Sequence, residues 1–332
     1  MTSKTSIQDK AAGSSSVPRR WPLRLGTRGS ALALIQAHEV AARLRAAWPD
    51  LAAEGAIEIV VIRTTGDRIR DRPLTEIGGK ALFAKEIEAA LLGDQIDLAV
   101  HSLKDLPSIL PAAYELTAVL PREDPRDCLI GAESLGSLAG GLAELPEGSV
   151  VGTCSPRRKA QLLMRRPDLS IVELRGNVGT RLDKLKEGPM VATLLGQAGL
   201  NRMDIKTGRT LNPEEFLPAA TQGTIGLEIR SGDQATAERA AAINHPETWL
   251  RAQAERACLA ALNGSCHTPV AALANVSGKQ LTLDALFLLP DGSEPLRGSI
   301  EGSVAQAETL GRKVGERIMA KASPAHLALL EA

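Results

Sequence analysis

Aromatic residues are nearly absent from this chain: three Trp, one Tyr and three Phe make up 2% of its 332 residues. So small a supply disfavours the stacking platforms that hold single-stranded nucleic acid. Net charge is absent too, because 39 Lys and Arg balance 39 Asp and Glu. That balance argues against bulk electrostatic binding to DNA, RNA or an anionic membrane. Cysteine is scarce, and Cys128, Cys154, Cys258 and Cys266 form no CxxC pair. Such usage fits a reducing compartment without a disulfide framework or structural zinc. Cys266 beside His267 lacks further ligands at usable spacing, so no metal site is expected. No apolar run reaches transmembrane length, and the opening MTSKTSIQDKAAGSSSVPRR has no continuous apolar segment of a secretory signal. Residues 1–21 read as a disordered tail of a cytoplasmic protein.

What remains is an ordinary globular composition, 44% apolar and 23% charged, in a chain long enough for two or three domains. LRLGT, AIEIVVIRT and IDLAVHS read as strands, separated by the helices SALALIQAHEVAARLRAAW and LFAKEIEAALLG. After the Pro- and acid-rich connection PREDPRD the same grammar restarts. SVVGT, IVEL and MVATLL read as strands, each running into a helical stretch. Alternating strands and helices predict an α/β fold with largely parallel sheets. TIGLEIR reads as a strand returning to the first domain. From Asn244, with Glu247 three residues on and Pro246 in the first turn, a helix opens. It ends at Asn263-Gly264 and begins a small third domain containing the strand LTLDALFLL and the helix AQAETLGRKVGERIMAKA. The expected division is 22–121 with 219–243, then 122–218, then 244–332.

In open α/β sheets ligands collect at the carboxyl ends of the strands, and here those ends carry bases. LRLGT is followed by Arg28-Gly29-Ser30, and IDLAVHS by Lys104 and Asp105. SVVGT leads to Cys154, Ser155, Arg157 and Arg158; IVEL leads to Arg175 and then Arg181; MVATLL leads to Arg202. Any single surface arginine is ordinarily just solvated. Five strand ends that all deliver cations, several at helix N-termini, predict a cleft for a ligand with several carboxylates or phosphates. There is no GxxxxGK[ST] loop and no GxGxxG after a strand, which disfavours a phosphate-handling transferase. The Gly-Gly-Lys of IGGKALF reads equally as a loop tip or as a lid over an anion. Asp105, an acid among bases, is placed to move protons and to stabilise positive charge. Cys258 lies on the apolar stripe of its helix and reads as a core thiol. Cys266 lies beyond the helix stop, in the permissive turn Asn263-Gly264-Ser265, where a thiol is reachable.

The stretches LGTRGSALALIQAH, GGKALFAKEIEAALL, DLAVHSLKDLP, REDPRD, VGTCSPRRKAQL, LRGNVGTRLDKL and GSCHTPV occur in this order. Together they closely resemble the porphobilinogen deaminase (hydroxymethylbilane synthase) family of tetrapyrrole biosynthesis, from about Leu23 into the third domain. The resemblance implies a monomeric three-domain transferase. Its first two domains would be like periplasmic binding proteins, with mixed sheets, and its third a small α/β domain with an antiparallel sheet. It implies stepwise condensation of four porphobilinogen molecules on a dipyrromethane cofactor joined by a thioether to Cys266. Ser102, Lys104, Asp105, Thr153, Ser155, Arg157, Arg158 and Arg181 would hold the cofactor. Arg28, Ser30, Arg175, Arg181 and Arg202 would hold substrate carboxylates. Asp105 would be the catalytic acid–base, assisting loss of ammonia and stabilising the azafulvene cation. Lys80 and Phe83 would belong to a mobile loop over the site. The chain departs from the usual pattern at Glu76, Ala81, Cys154, Pro156, Thr221 and His267. The competing reading is a non-catalytic two-lobed protein that binds a polycarboxylate, which would leave Asp105 and Cys266 without roles.

Overall fold

The computed structural model describes residues 22–64, 84–136, 138–265 and 267–331. The expected tail 1–21, the expected loop residues Glu76, Lys80, Ala81 and Phe83, and Cys266 lie outside the described residues. The first lobe begins with β1 (Leu23–Arg28), α1 (Ala31–Ala47), β2 (Ile57–Ile62), α2 (Lys85–Leu92), β3 (Leu98–Ser102) and β4 (Tyr114–Val119). The second holds β5 (Asp127–Gly131), β6 (Val150–Gly152), α3 (Pro156–Arg165), β7 (Ser170–Val172), α4 (Val178–Glu187), β8 (Ala192–Gly196), α5 (Gln197–Arg202) and β9 (Arg209–Thr210). The chain then returns through β10 (Ile225–Arg230) and α6 (Gln234–Ala241).

The two sheets are built to one plan. The first has strand order β2-β1-β3-β10-β4 and the second β7-β6-β8-β5-β9. In each, a strand from the far side of a crossover is inserted antiparallel as the fourth: β10 pairs β3 and β4, and β5 pairs β8 and β9. The parallel strands are those expected from the alternating pattern, and TIGLEIR does return to the first sheet. This exchange of strands between two like lobes is the architecture of periplasmic binding proteins. It puts the carboxyl ends of β1, β3, β6 and β8 and the amino ends of β5 and β10 along facing edges.

Local sequence explains the elements that frame this edge. Ser30 caps α1 by accepting from the Ala33 N–H at 3.3 Å, and Ala37, Val40, Ala41 and Leu44 form its buried stripe. Val40, Ala41 and Leu44 pack in one cluster with Leu25, Leu98, Leu120 and Leu227. Pro156 occupies the first turn of α3 behind the cap Ser155, a position where the missing N–H is harmless and the fixed φ is already helical. This accounts for the tolerance of one departure from the family pattern.

The third unit is an antiparallel sheet of β11 (Val270–Ser277), β12 (Gln280–Phe287) and β13 (Leu296–Ser303). Three helices accompany it: α7 (Pro246–Ala261), α8 (Ala307–Met319) and α9 (Pro324–Glu331). Gly311 and Gly315 let α8 lie directly on α7; a Cβ at Gly311 would come 2.0 Å from the Ala254 carbonyl. The α7 cap is His245, which accepts from the Thr248 N–H, and not Asn244. The Asn244 side chain instead accepts from the Val119 N–H at 2.9 Å, so tertiary pairing takes the residue that local pattern assigned to the helix.

One buried ion pair ties this unit to both crossovers. Glu255 of α7 accepts from Arg122 at 2.6 and 3.2 Å, from the Ala274 N–H at 2.7 Å and from the Thr221 N–H. Arg122 belongs to the outgoing crossover, and Thr221 to the returning one. Thr221, one of the departures from the pattern of the family it resembles, has φ of +59°, a left-handed conformation awkward for a β-branched residue. Removing Glu255 leaves the Arg122 guanidinium buried without its counter-charge, held only by the Gln222 carbonyl at 2.8 Å, and two backbone amides without their acceptor. Glu255→Ala is expected to lose about 3–5 kcal/mol of unfolding free energy, read from urea denaturation.

Candidate active site

The facing strand ends bring most of the expected residues together. Arg28 ends β1, and its Nη1 lies 4.0 Å from Oδ2 of Asp105. Asp105 closes a short 3-10 turn, Leu103–Asp105, directly after β3, and its side chain remains exposed. Ser102, the last residue of β3, exchanges hydrogen bonds with Gln36 of α1 at 2.9 and 3.1 Å. In the second lobe, Thr153 accepts from the Ser155 N–H at 3.2 Å, and Ser155 caps α3. Asn177 caps α4. Three helices of eight residues or more thus point their amino ends toward the strand edges, where their free N–H groups favour anions.

Lys104 and Arg181 mark the centre. The Lys104 ammonium donates to Gln222 at 3.0 Å. Although Lys104 is exposed as a residue, the protein packed around its ammonium desolvates it, and this, followed by repulsion from Arg158, lowers its pKa to about 8. Arg181 donates to the Gly176 carbonyl at 2.8 Å and to Cys154 Sγ at 3.6 Å. Burial lowers its pKa; Arg158 and Arg175 act in the same sense, while Cys154 and Asp105 oppose. Residues from both lobes therefore act on one another across the cleft. A cation held in this way gains from any carboxylate that enters.

Arg157 and Arg158 occupy a different position from the one the strand-end reading implies. Both are buried, and both turn onto Asp127, the first residue of β5. Arg157 donates to Asp127 at 2.7 and 3.2 Å, and Arg158 at 3.0 and 2.7 Å. Their remaining bonds go to the Leu217 and Leu194 carbonyls at 2.9 and 2.8 Å. Two guanidiniums against one carboxylate leave a net positive floor. Gln222 completes this floor, donating to Asp127 at 3.2 Å while accepting from Lys104.

Asp127, Gln222 and Gln36 escaped the sequence reading. Asp127 ends a segment read as a connection, and Gln222 precedes a returning strand; only the strand exchange makes them neighbours of Lys104 and Arg158. Arg175 pairs with Glu173 at 3.2 Å. Arg202 lies against Glu39 at 3.4 Å and the Gly223 carbonyl at 3.1 Å, at the junction of the lobes. Cys258 is fully buried, and burial pushes its thiol up to about 12, as a core cysteine requires. His267 donates its backbone N–H to Ser265 Oγ at 3.2 Å.

Fold and cleft together define a two-lobed protein whose strand ends gather bases around one exposed acid, Asp105. The chain belongs to the porphobilinogen deaminase family. The family model described as "Porphobilinogen deaminase, dipyromethane cofactor binding domain" matches residues 23–238, and that of the "Porphobilinogen deaminase, C-terminal domain" matches residues 249–320. Porphobilinogen deaminase of Paracoccus denitrificans is 51% identical over 303 residues, covering 91% of this chain and 95% of that one. The chloroplastic porphobilinogen deaminase of Pisum sativum is 47% identical over 308 residues, covering 91% and 82%. Among the described residues, no group of three or more His, Cys, Asp or Glu could hold a metal ion, and no helix is long and apolar enough to cross a membrane.

The Asp127 carboxyl is held well below its usual range. Burial pushes it up, but the charges and hydrogen bonds of Arg157 and Arg158 outweigh burial. A depressed folded pKa stabilises above the unfolded value, about 4, and that stability disappears as pH falls toward the folded value. Asp127→Asn is expected to remove this acid-dependent part of the stability profile and to lower stability at neutral pH by about 3–5 kcal/mol, measured by chemical denaturation from pH 7 to pH 3.

Proposed function

We propose that this chain is a hydroxymethylbilane synthase that joins four porphobilinogen molecules head to tail, releasing ammonia at each coupling. The observation that carries the reading is the convergence of Arg28, Lys104, Arg181 and the arginine pair clamped on Asp127 around one exposed carboxylate, Asp105. Each porphobilinogen unit brings an acetate and a propionate, so a growing chain gathers negative charge that this floor offsets. A polycarboxylate carrier would need the bases but would have no use for Asp105 or Cys266.

The residues present fit a dipyrromethane group. Ser102, Lys104, Arg181 and the N-terminus of α3 behind Thr153 and Ser155 offer donors for its carboxylates, and Arg157 and Arg158 add charge from beneath. When bound through Cys266, the group supplies the free pyrrole carbon on which the first substrate is coupled. The chain's own residues do the rest. Arg28, Ser30, Arg175 and Arg202 take the carboxylates of the incoming porphobilinogen. Asp105 accepts hydrogen bonds from its pyrrole N–H, stabilises the positive charge that develops as ammonia departs, and receives the proton lost from the coupled carbon. The Arg28 guanidinium, 4.0 Å from the Asp105 carboxylate, favours its charged form. Lys80 and Phe83, in this reading, belong to a loop over the cleft.

The reading includes a monomeric cytoplasmic enzyme in three units, 22–121 with 219–243, 122–218 and 244–332. Three hydrophobic clusters lie mainly within one unit each, which supports the division, and two smaller ones join the third unit to the lobes. Intact-mass analysis with peptide mapping is expected to find a dipyrromethane adduct on Cys266, with the matching colour in acid Ehrlich reagent. An unmodified chain that porphobilinogen cannot load would overturn the function. Asp105→Ala, folded and carrying the adduct, is expected to lose about 100-fold to 10,000-fold in kcat; normal turnover would remove Asp105 from its role.

A further inference from the structure

Arg202 is the fifth of the strand-end bases, and its surroundings differ from those of the others. Its side chain is 8% exposed at the end of α5. Its Nη2 donates to the Gly223 carbonyl at 3.1 Å, one residue from Gln222, whose side chain bridges Lys104 and Asp127. Arg202 therefore adjoins the cleft floor. Its Nε faces Glu39 Oε2 at 3.4 Å, and Glu39 belongs to α1 of the opposite lobe.

An arginine at this edge has the geometry to take a ligand carboxylate, yet the carboxylate it meets belongs to the chain itself. Burial lowers the Arg202 pKa, and Glu39 is the foremost charge opposing that loss, so the guanidinium gains from whichever anion is beside it. Glu39 is loosely committed. Its side chain is 29% exposed, and its carboxylate is shared with Arg43, one turn along α1, at 3.3 and 3.2 Å. Ion pairs with this much solvent contact exchange readily.

We propose that Glu39 is an internal rival of the substrate's carboxylates for Arg202, and that Arg43, by drawing on the same carboxylate, moderates the rivalry. Glu39 is thus a positioning residue that sets the affinity for porphobilinogen through Arg202. The proposal rests on the functional reading above. An entering carboxylate displaces Glu39 from Arg202, and Glu39 falls back on Arg43. No covalent change is involved.

Steady-state kinetics of the cofactor-loaded enzyme test this. Glu39→Gln is expected to lower KM for porphobilinogen two- to fivefold, with kcat moving less than KM. Arg43→Ala, which releases Glu39 to Arg202, is expected to raise KM by a similar factor. The double variant should follow Glu39→Gln, because without the carboxylate the loss of Arg43 has nothing to act through. A simple strut between the lobes would behave in the opposite way: Glu39→Gln would raise KM and lower the thermal midpoint. An unchanged or raised KM in Glu39→Gln, or an Arg43→Ala effect that persists in the double variant, overturns the proposal. A wild-type chain that forms no hydroxymethylbilane overturns the functional reading instead, so the two failures are distinguishable.

Discussion

The clamp of Asp127 by Arg157 and Arg158 is the interaction on which this site depends. Burying two guanidiniums without a counter-charge is prohibitive, and burying the carboxylate alone is equally so. Together they satisfy one another and two backbone carbonyls, and they leave one unit of positive charge beneath the cleft. That residual charge acts without a direct contact: it lies under a desolvated Lys104 and beside Arg181, so an entering carboxylate meets a field as well as hydrogen-bond donors. Such a field is prepared during folding and requires no rearrangement when the ligand arrives.

The clamp in turn depends on strand exchange. Asp127 is the first residue of β5, which reaches the second sheet from a crossover, while Gln222 stands just before β10, which returns to the first. Gln222 joins Asp127 of one lobe to Lys104 of the other, and Glu255 of the third unit grips both crossovers a few residues away. The cleft floor and the connection between lobes are therefore the same piece of structure. A change in the angle between the lobes would be felt at Lys104 directly.

Much of this was legible in the residues themselves. The parallel strands announce themselves as apolar runs, and the bases at their ends stand out because charge seldom follows a buried strand so regularly. The helix starts at Ser30 and Ser155 carry their caps in plain view. What stayed hidden was non-local. Residues 127–131 form a central strand whose first member is a fully buried aspartate, and an acid after PREDPR reads as loop. Leu296–Ser303 alternates burial along an outer strand made of small and charged residues, so its apolar signal is faint. Asp127, Gln222 and Glu39 matter because of what lies opposite them, and no spacing along the chain encodes that.

The exchanged strands also have a consequence for synthesis. The second sheet is contiguous between Asp127 and Thr210, so all five of its strands are present once that stretch has emerged from the ribosome. The first sheet is not. β4 can pair with β3 only through β10, and β10 ends at Arg230. The amino-terminal lobe, although translated first, therefore waits for more than a hundred further residues before its last two strands can be placed. Pairings of such long separation form slowly, and until then the edge of β3 stands open. The lobe that carries Asp105 is completed after the lobe it closes upon.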